Sequence, residues 1–142
     1  MASQREWTIG AQQVCFESPD ILRVRFQGRL SLEEAIGLVD LYRELGTSSP
    51  FFLVGDMHEA DRVDPEVQRY FSEQAAPAWV HANIFIGARL THKAVARGIF
   101  LAAWLTGRSE TNELAKVHFV SSHAEASALV VQLRARLGDK AA

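Results

Sequence analysis

Only one cysteine, Cys15, and four prolines occur in the 142 residues of this chain. A lone cysteine excludes an internal disulfide, and no cationic start followed by an apolar run marks the N-terminus for secretion. The expected location is therefore the cytoplasm. Long apolar runs are missing too: the longest nearly apolar stretch, residues 98–105, falls far short of the ~20 residues a membrane span needs. No integral membrane association is expected. Charge of one sign is also scarce, with a formal net charge of −2 and the lysines and arginines scattered singly. Without a basic stripe there is nothing to grip a phosphate backbone, so nucleic acid is not an expected partner. The chain has no Gly-x-Gly-x-x-Gly, no Gly-Lys-Ser/Thr phosphate cradle and no Gly-x-Ser-x-Gly elbow. Dinucleotide, nucleotide and serine-hydrolase chemistry lose their usual signatures, and no catalytic residue, cofactor or enzymatic activity is expected.

What is present is an average globular composition, 48% apolar and 23% charged, which suits one domain over residues 1–142 with its core over about 7–135. Residues 7–17 carry Ile9, Val14, Cys15 and Phe16, and Ser18-Pro19-Asp20 supplies turn chemistry. In residues 21–26 the apolar Leu22, Val24 and Phe26 alternate with Arg23, Arg25 and Gln27, the pattern of a half-solvated strand. The two runs predict an antiparallel hairpin. Ser31-Leu32-Glu33-Glu34 has the form of a capping box, followed by a helix to about Leu45 with Gly46 as its stop. Its broad apolar face, Leu32, Ala35, Ile36, Leu38, Val39, Tyr42 and Leu45, calls for a sheet to cover.

From residue 50 onward strands and helices alternate. The runs 51–54, 84–86 and 117–120 are apolar throughout, as central strands of a parallel sheet are when both faces are covered. Between them a helix is predicted from Pro65 to about Ala76, with Asp64 as cap, and another from His92 to about Thr106, stopped by Gly107. Ser122-His123-Ala124-Glu125 opens a last helix that turns Ala126, Leu129, Val130 and Leu133 inward. The expected architecture is α/β: a mixed, mostly parallel sheet of about five strands with an N-terminal antiparallel hairpin and four helices.

This β-β-α-β-α-β-α-β-α order resembles the STAS domains, in particular their SpoIIAA-like, SEC14-related branch. The likeness is carried by Trp7-Thr8-Ile9-Gly10, by Pro19-Asp20-Ile21-Leu22 and the strand ending at Gly28, and by Ser31-Leu32-Glu33-Glu34-Ala35. Residues 51–56, Ile86-Gly87, His118-Phe119-Val120 and Glu125-Ala126 extend it over residues 7–135. It implies a regulatory or scaffolding module like the anti-sigma factor antagonists, bacterial and cytoplasmic, which binds a protein partner such as an anti-sigma factor. In that branch an Asp-Ser pair after the matching strand carries a regulatory phosphate. Here the corresponding pair is Asp64-Pro65, and residues 57–63 hold no serine or threonine. Phosphorylation at that position is chemically impossible, so any partner would be bound without the serine switch.

Two readings of the junction remain open. Asp64-Pro65 is a good helix start beneath a solvated acidic loop, or the junction contacts a partner through Asp56, His58, Glu59, Asp61 and Asp64. The His58 and carboxylate spacing follows no ligand pattern, so no metal is expected. The helix over residues 92–106 is apolar nearly all round: Val95, Ala96, Ile99, Ala102 and Ala103 form one face, and Phe100, Leu101, Trp104 and Leu105 spread round the other. It packs between sheet and neighbouring helix, forms a homodimer or partner seam, or lines a small apolar ligand pocket. Trp79 and Phe71 are candidates for the same surface. The SEC14 side of the resemblance implies the alternative function, binding of a small apolar ligand or lipid.

Overall fold

The computed structural model describes the backbone of residues 4–105 and 116–141, and the side chains of residues 5–99 and 116–138. The element order is β1 (Gln4–Ile9), β2 (Gln12–Glu17), β3 (Ile21–Gly28), α1 (Leu32–Ser48), β4 (Phe51–Ala60), α2 (Pro65–Gln74), a 3₁₀ turn (Pro77–Trp79), β5 (Val80–Ile86), α3 (Leu90–Leu105), β6 (Val117–Val120) and α4 (His123–Ala141). The six strands lie in chain order across one sheet, with β1–β2 and β2–β3 paired antiparallel and β3 to β6 parallel to one another. No described helix is long and apolar enough to cross a membrane.

The sheet has six strands rather than about five. Residues 7–17 read as one run in the sequence, but Gly10-Ala11-Gln12-Gln13 separates Ile9 from Val14 and the chain reverses at Gly10-Ala11, where Gly10 adopts φ +59°. That left-handed backbone is open to glycine at little steric cost. A Cβ there would also run into the Glu34 side chain, 2.6 Å from its Cγ. The turn is held from the other side: Glu34 accepts the Ala11 N–H at 2.8 Å and the Gln12 side-chain amide at 3.1 Å. The same carboxylate closes the predicted capping box with Ser31.

Two apolar layers sandwich the sheet. On one face α1 and α2 pack Leu38, Tyr42 and Val67 over Val14, Leu22, Val24, Phe51 and Leu53. On the other α4 packs Ala126 and Val130 over Phe52, Val54, Ala82, Ile84 and Ile86. The alternate side chains of β4 thus serve two cores, which is why its sequence is apolar without alternation. Arg134 of α4 bonds both carboxylate oxygens of Asp20 in the β2–β3 turn, at 3.1 and 2.6 Å.

Three local expectations are corrected. Gly46 does not stop α1, which continues to Ser48. It is buried because Trp79 crosses it so closely that a Cβ would lie 2.8 Å from the Trp79 Cα. Ile36 is exposed instead of inward-facing, while Gly37 lies against Ile9, because the unforeseen strand β1 shifts the covered face of α1. β4 runs on to Ala60, so Met57, His58 and Glu59 belong to the strand and only residues 61–64 form the loop.

Candidate functional site

The predicted junction residues separate into three local pairings. Asp56 is the last residue of β4 to pair with both neighbouring strands. One of its carboxylate oxygens accepts the backbone N–H of His58 at 3.0 Å and the His58 Nδ1–H at 2.8 Å. The other accepts the Nε2–H of His123, from the first turn of α4, at 3.0 Å. Burial raises the pKa of this carboxyl, but the bonds from His58 and His123 outweigh it and hold the group below its ordinary value. The His58 ring is placed by Gly87, where φ is +68° and a Cβ would lie 2.5 Å from the ring Nε2. His123 was a residue with an ordinary helix-start explanation in the sequence; here it completes the Asp56 cluster.

Glu59 is committed to Arg25 of β3 at 2.8 Å. Asp64 stands at the N-cap of α2 but makes no side-chain cap bond. Its carboxylate turns to Arg29, with Nε at 2.8 Å and Nη2 at 2.6 Å, and its backbone oxygen accepts the N–H groups of Val67 and Gln68. Asp61 accepts the neighbouring Arg62 N–H. The stretch thus carries local charge pairings while His58, Glu59, Asp61 and Arg62 stay exposed to solvent. Among the described residues, no group of three or more His, Cys, Asp or Glu is arranged to hold a metal ion.

The Asp56 cluster and the Glu59–Arg25 pair, but not Asp61 or Asp64, border an open groove of about 750 Å³ over the half of the sheet that α4 does not cover. Cys15, Arg23, Arg25, Asp56, His58 and His123 line it. Arg23 is held by Glu17 at 2.8 Å.

On the opposite face lies a cavity of about 150 Å³ between the sheet, α2 and the first half of α3. Its wall is almost wholly apolar, with Phe26, Phe85, Phe71, Trp79 and Phe119 contributing rings and Val95, Ala96 and Ile99 closing it from α3. Trp79 and Phe71 thus share a surface with the α3 helix, as their sequence positions suggested, but it is an internal one. Phe100, Leu101, Trp104 and Leu105 have side chains outside the described residues, and Gly107 lies outside them altogether.

Two buried polar residues reach this cavity. His92, 4% exposed, is satisfied at both ring nitrogens: Nδ1 accepts the Arg89 N–H at 3.3 Å and Nε2–H donates to the Asp61 carbonyl at 3.0 Å. The pattern requires the neutral Nε2–H tautomer. Arg89 in turn donates to the Ala60 carbonyl, so α3 is tied to the end of β4. Asn83, 3% exposed on β5, is the other. Its side-chain Nδ2 is buried with no hydrogen-bond partner, the one such side-chain atom among the described residues. Asn83 was not singled out in the sequence, although a polar residue between Ala82 and Ile84 in an otherwise apolar strand is a usable signal.

No known protein-family model and no curated protein matches the chain.

Proposed function

We propose that this chain is a non-enzymatic binding module of STAS-like, SpoIIAA-related type, and that its ligand is a small apolar molecule held between the sheet and helices α2 and α3. The observation that carries the reading is the aromatic-walled cavity with a buried, unpartnered amide on its wall. Ligand sites are typically apolar pockets with few, well-placed polar groups. A packed core, in contrast, leaves few voids and almost no orphan donor. The family resemblance adds the SEC14-related precedent for apolar ligands.

Native mass spectrometry of the freshly purified protein, followed by thermal shifts across a panel of small apolar compounds and lipids, tests this reading. A bound molecule or a saturable rise in melting temperature is expected, since a ligand at a hundred times its dissociation constant stabilises by about 2.7 kcal/mol. Ala96→Phe, which places a ring in the cavity, should abolish the rise. No bound mass and no shift with any compound would overturn the proposal.

A protein partner is the second reading, favoured by the uncovered polar groove beside Asp56. Such a partner would be held constitutively, because Pro65 offers no hydroxyl to phosphorylate. Binding that survives Arg25→Glu and His123→Glu unchanged would remove this second reading.

A further inference from the structure

Asn83 stands in an unusual position: 3% exposed, in the middle of β5, and with a side-chain N–H₂ that no group among the described residues accepts. Buried polar groups are otherwise paired, because an amide stripped of water and given no partner costs far more than a normal hydrogen bond contributes. Tyr42 and Asp61 also line the cavity, the latter accepting the Arg62 N–H, and two further polar side chains there are occupied. Both nitrogens of His92 are used, and the Ser72 hydroxyl donates to the Arg69 carbonyl of its own helix. Among the described residues, no lysine or arginine lines the space.

We propose that the cavity takes a neutral molecule of one ring or short chain carrying a single oxygen acceptor, a carbonyl in particular, which receives the Asn83 Nδ2–H while its apolar body lies among Phe26, Phe71, Trp79 and Phe85. The inference rests on the ligand-binding reading above and adds the chemical class and the orientation. Size follows from volume: a dry engineered cavity of about 150 Å³ in another protein accepts benzene, so roughly six to nine non-hydrogen atoms fit here. Charge follows from the lining. A carboxylate would be buried without a cation, at a cost that its bond to one amide does not offset. A pure hydrocarbon fits the walls but leaves the donor unsatisfied, whereas a ketone or aldehyde satisfies both.

The test compares three probes of near-equal shape, acetophenone, α-methylstyrene and benzoate, by calorimetric titration into the intact chain and into Asn83→Leu. The wild type should bind acetophenone about tenfold or more tighter than α-methylstyrene, and benzoate weakest. Asn83→Leu should lose that preference and favour the hydrocarbon. The ¹³C carbonyl resonance of bound acetophenone should move downfield in the wild type, a readout that needs no variant. Equal binding of ketone and hydrocarbon, an unshifted carbonyl resonance, or a preference that survives Asn83→Leu would overturn the assignment of the donor while leaving an apolar ligand site standing. Binding of none of the three would overturn this chemical class, and the ligand-binding reading itself falls only if native mass spectrometry and the wider panel also show nothing.

Discussion

Asp56 and His123 are 67 residues apart in the chain, yet a 3.0 Å hydrogen bond joins the β4 carboxylate to the first turn of α4. The bond couples a helix start to the middle of a central strand, at the point where β4 last pairs with both neighbours. With His58 on the other oxygen, the carboxylate is shared between two rings, both more than half exposed. Its worth is thus more local than global.

His123→Ala should raise the Asp56 carboxyl pKa toward its ordinary value, because one of the bonds that lowers it disappears. The loss of stability should stay within about 1 kcal/mol, as expected for an exposed pair. Carbon-detected NMR titration of the Asp56 carboxyl measures the first and urea unfolding the second; an unmoved carboxyl pKa would deny the coupling.

Gln12 is fully buried and extends the β2–β3 ladder with its side chain, accepting the Gln27 N–H at 2.8 Å and donating to the Gln27 carbonyl at 3.1 Å. Replacement by leucine keeps the bulk but leaves both backbone groups and part of Glu34 without their partner. Gln12→Leu should cost about 2 kcal/mol or more, in the range for unpaired buried polar groups. Urea midpoints with an unchanged denaturant slope would check it, and a neutral outcome would show that water replaces the amide.

Gly46 poses two opposed effects. Alanine is the better helix residue by about 1 kcal/mol. Its methyl, however, would press on the Trp79 backbone, and such overpacking costs about 1–3 kcal/mol. Gly46→Ala should therefore destabilise, whereas Gly98→Ala in α3, with nothing within 4 Å of the added carbon, should not. Thermal unfolding of the two variants side by side distinguishes them; equal midpoints would mean that the 3₁₀ turn simply yields.

Acid should weaken the fold in two stages. Burial lowers the pKa of His81, with Asp20 opposing and Lys116 assisting, and burial followed by Arg136 lowers that of His118. Their unfolded forms take up protons first, so stability is full above the ordinary value of 6.5 and declines as the pH falls below it toward the folded values. Glu34 and Asp56 act lower down. Burial raises both, but the hydrogen bonds they accept win, so their contribution is present above the ordinary 4.5 and 3.8 and is lost as the pH falls through the folded values. Unfolding free energies from pH 8 to 3 check the sign, and a rise anywhere on the acid side would contradict it.

The parts of this fold legible in the sequence are those whose causes are local. Ser31 with Glu34, and Ser122 with Glu125, act within one helical turn, and their cap bonds form as their spacing requires. The uniform apolarity of residues 51–54 likewise announces a strand covered on both sides. The misread features all depend on a distant partner. Gly46 has the same letter whether it ends a helix or admits Trp79, and only the 3₁₀ turn 31 residues later decides. Asp64 reads as a cap until Arg29, 35 residues earlier, takes its carboxylate. Ile9 and Val14 fall within one run of residues 7–17, and the Gly10 backbone with the Glu34 bond to Ala11 divides that run into two strands. The cavity was half foreseen: Val95, Ala96 and Ile99 were on one predicted face, but the opposing Asn83 lies on another element.

The strict chain-order arrangement of the strands has a kinetic meaning. Every strand pairs only with the strands immediately before and after it in the chain, so each new ladder closes a short turn or a single crossover connection rather than spanning the whole chain. Loop closure of that length costs little more than the shortest crossover can. The sheet is thus able to grow by successive addition, each βα unit docking on the edge left by the last, during synthesis as readily as after it.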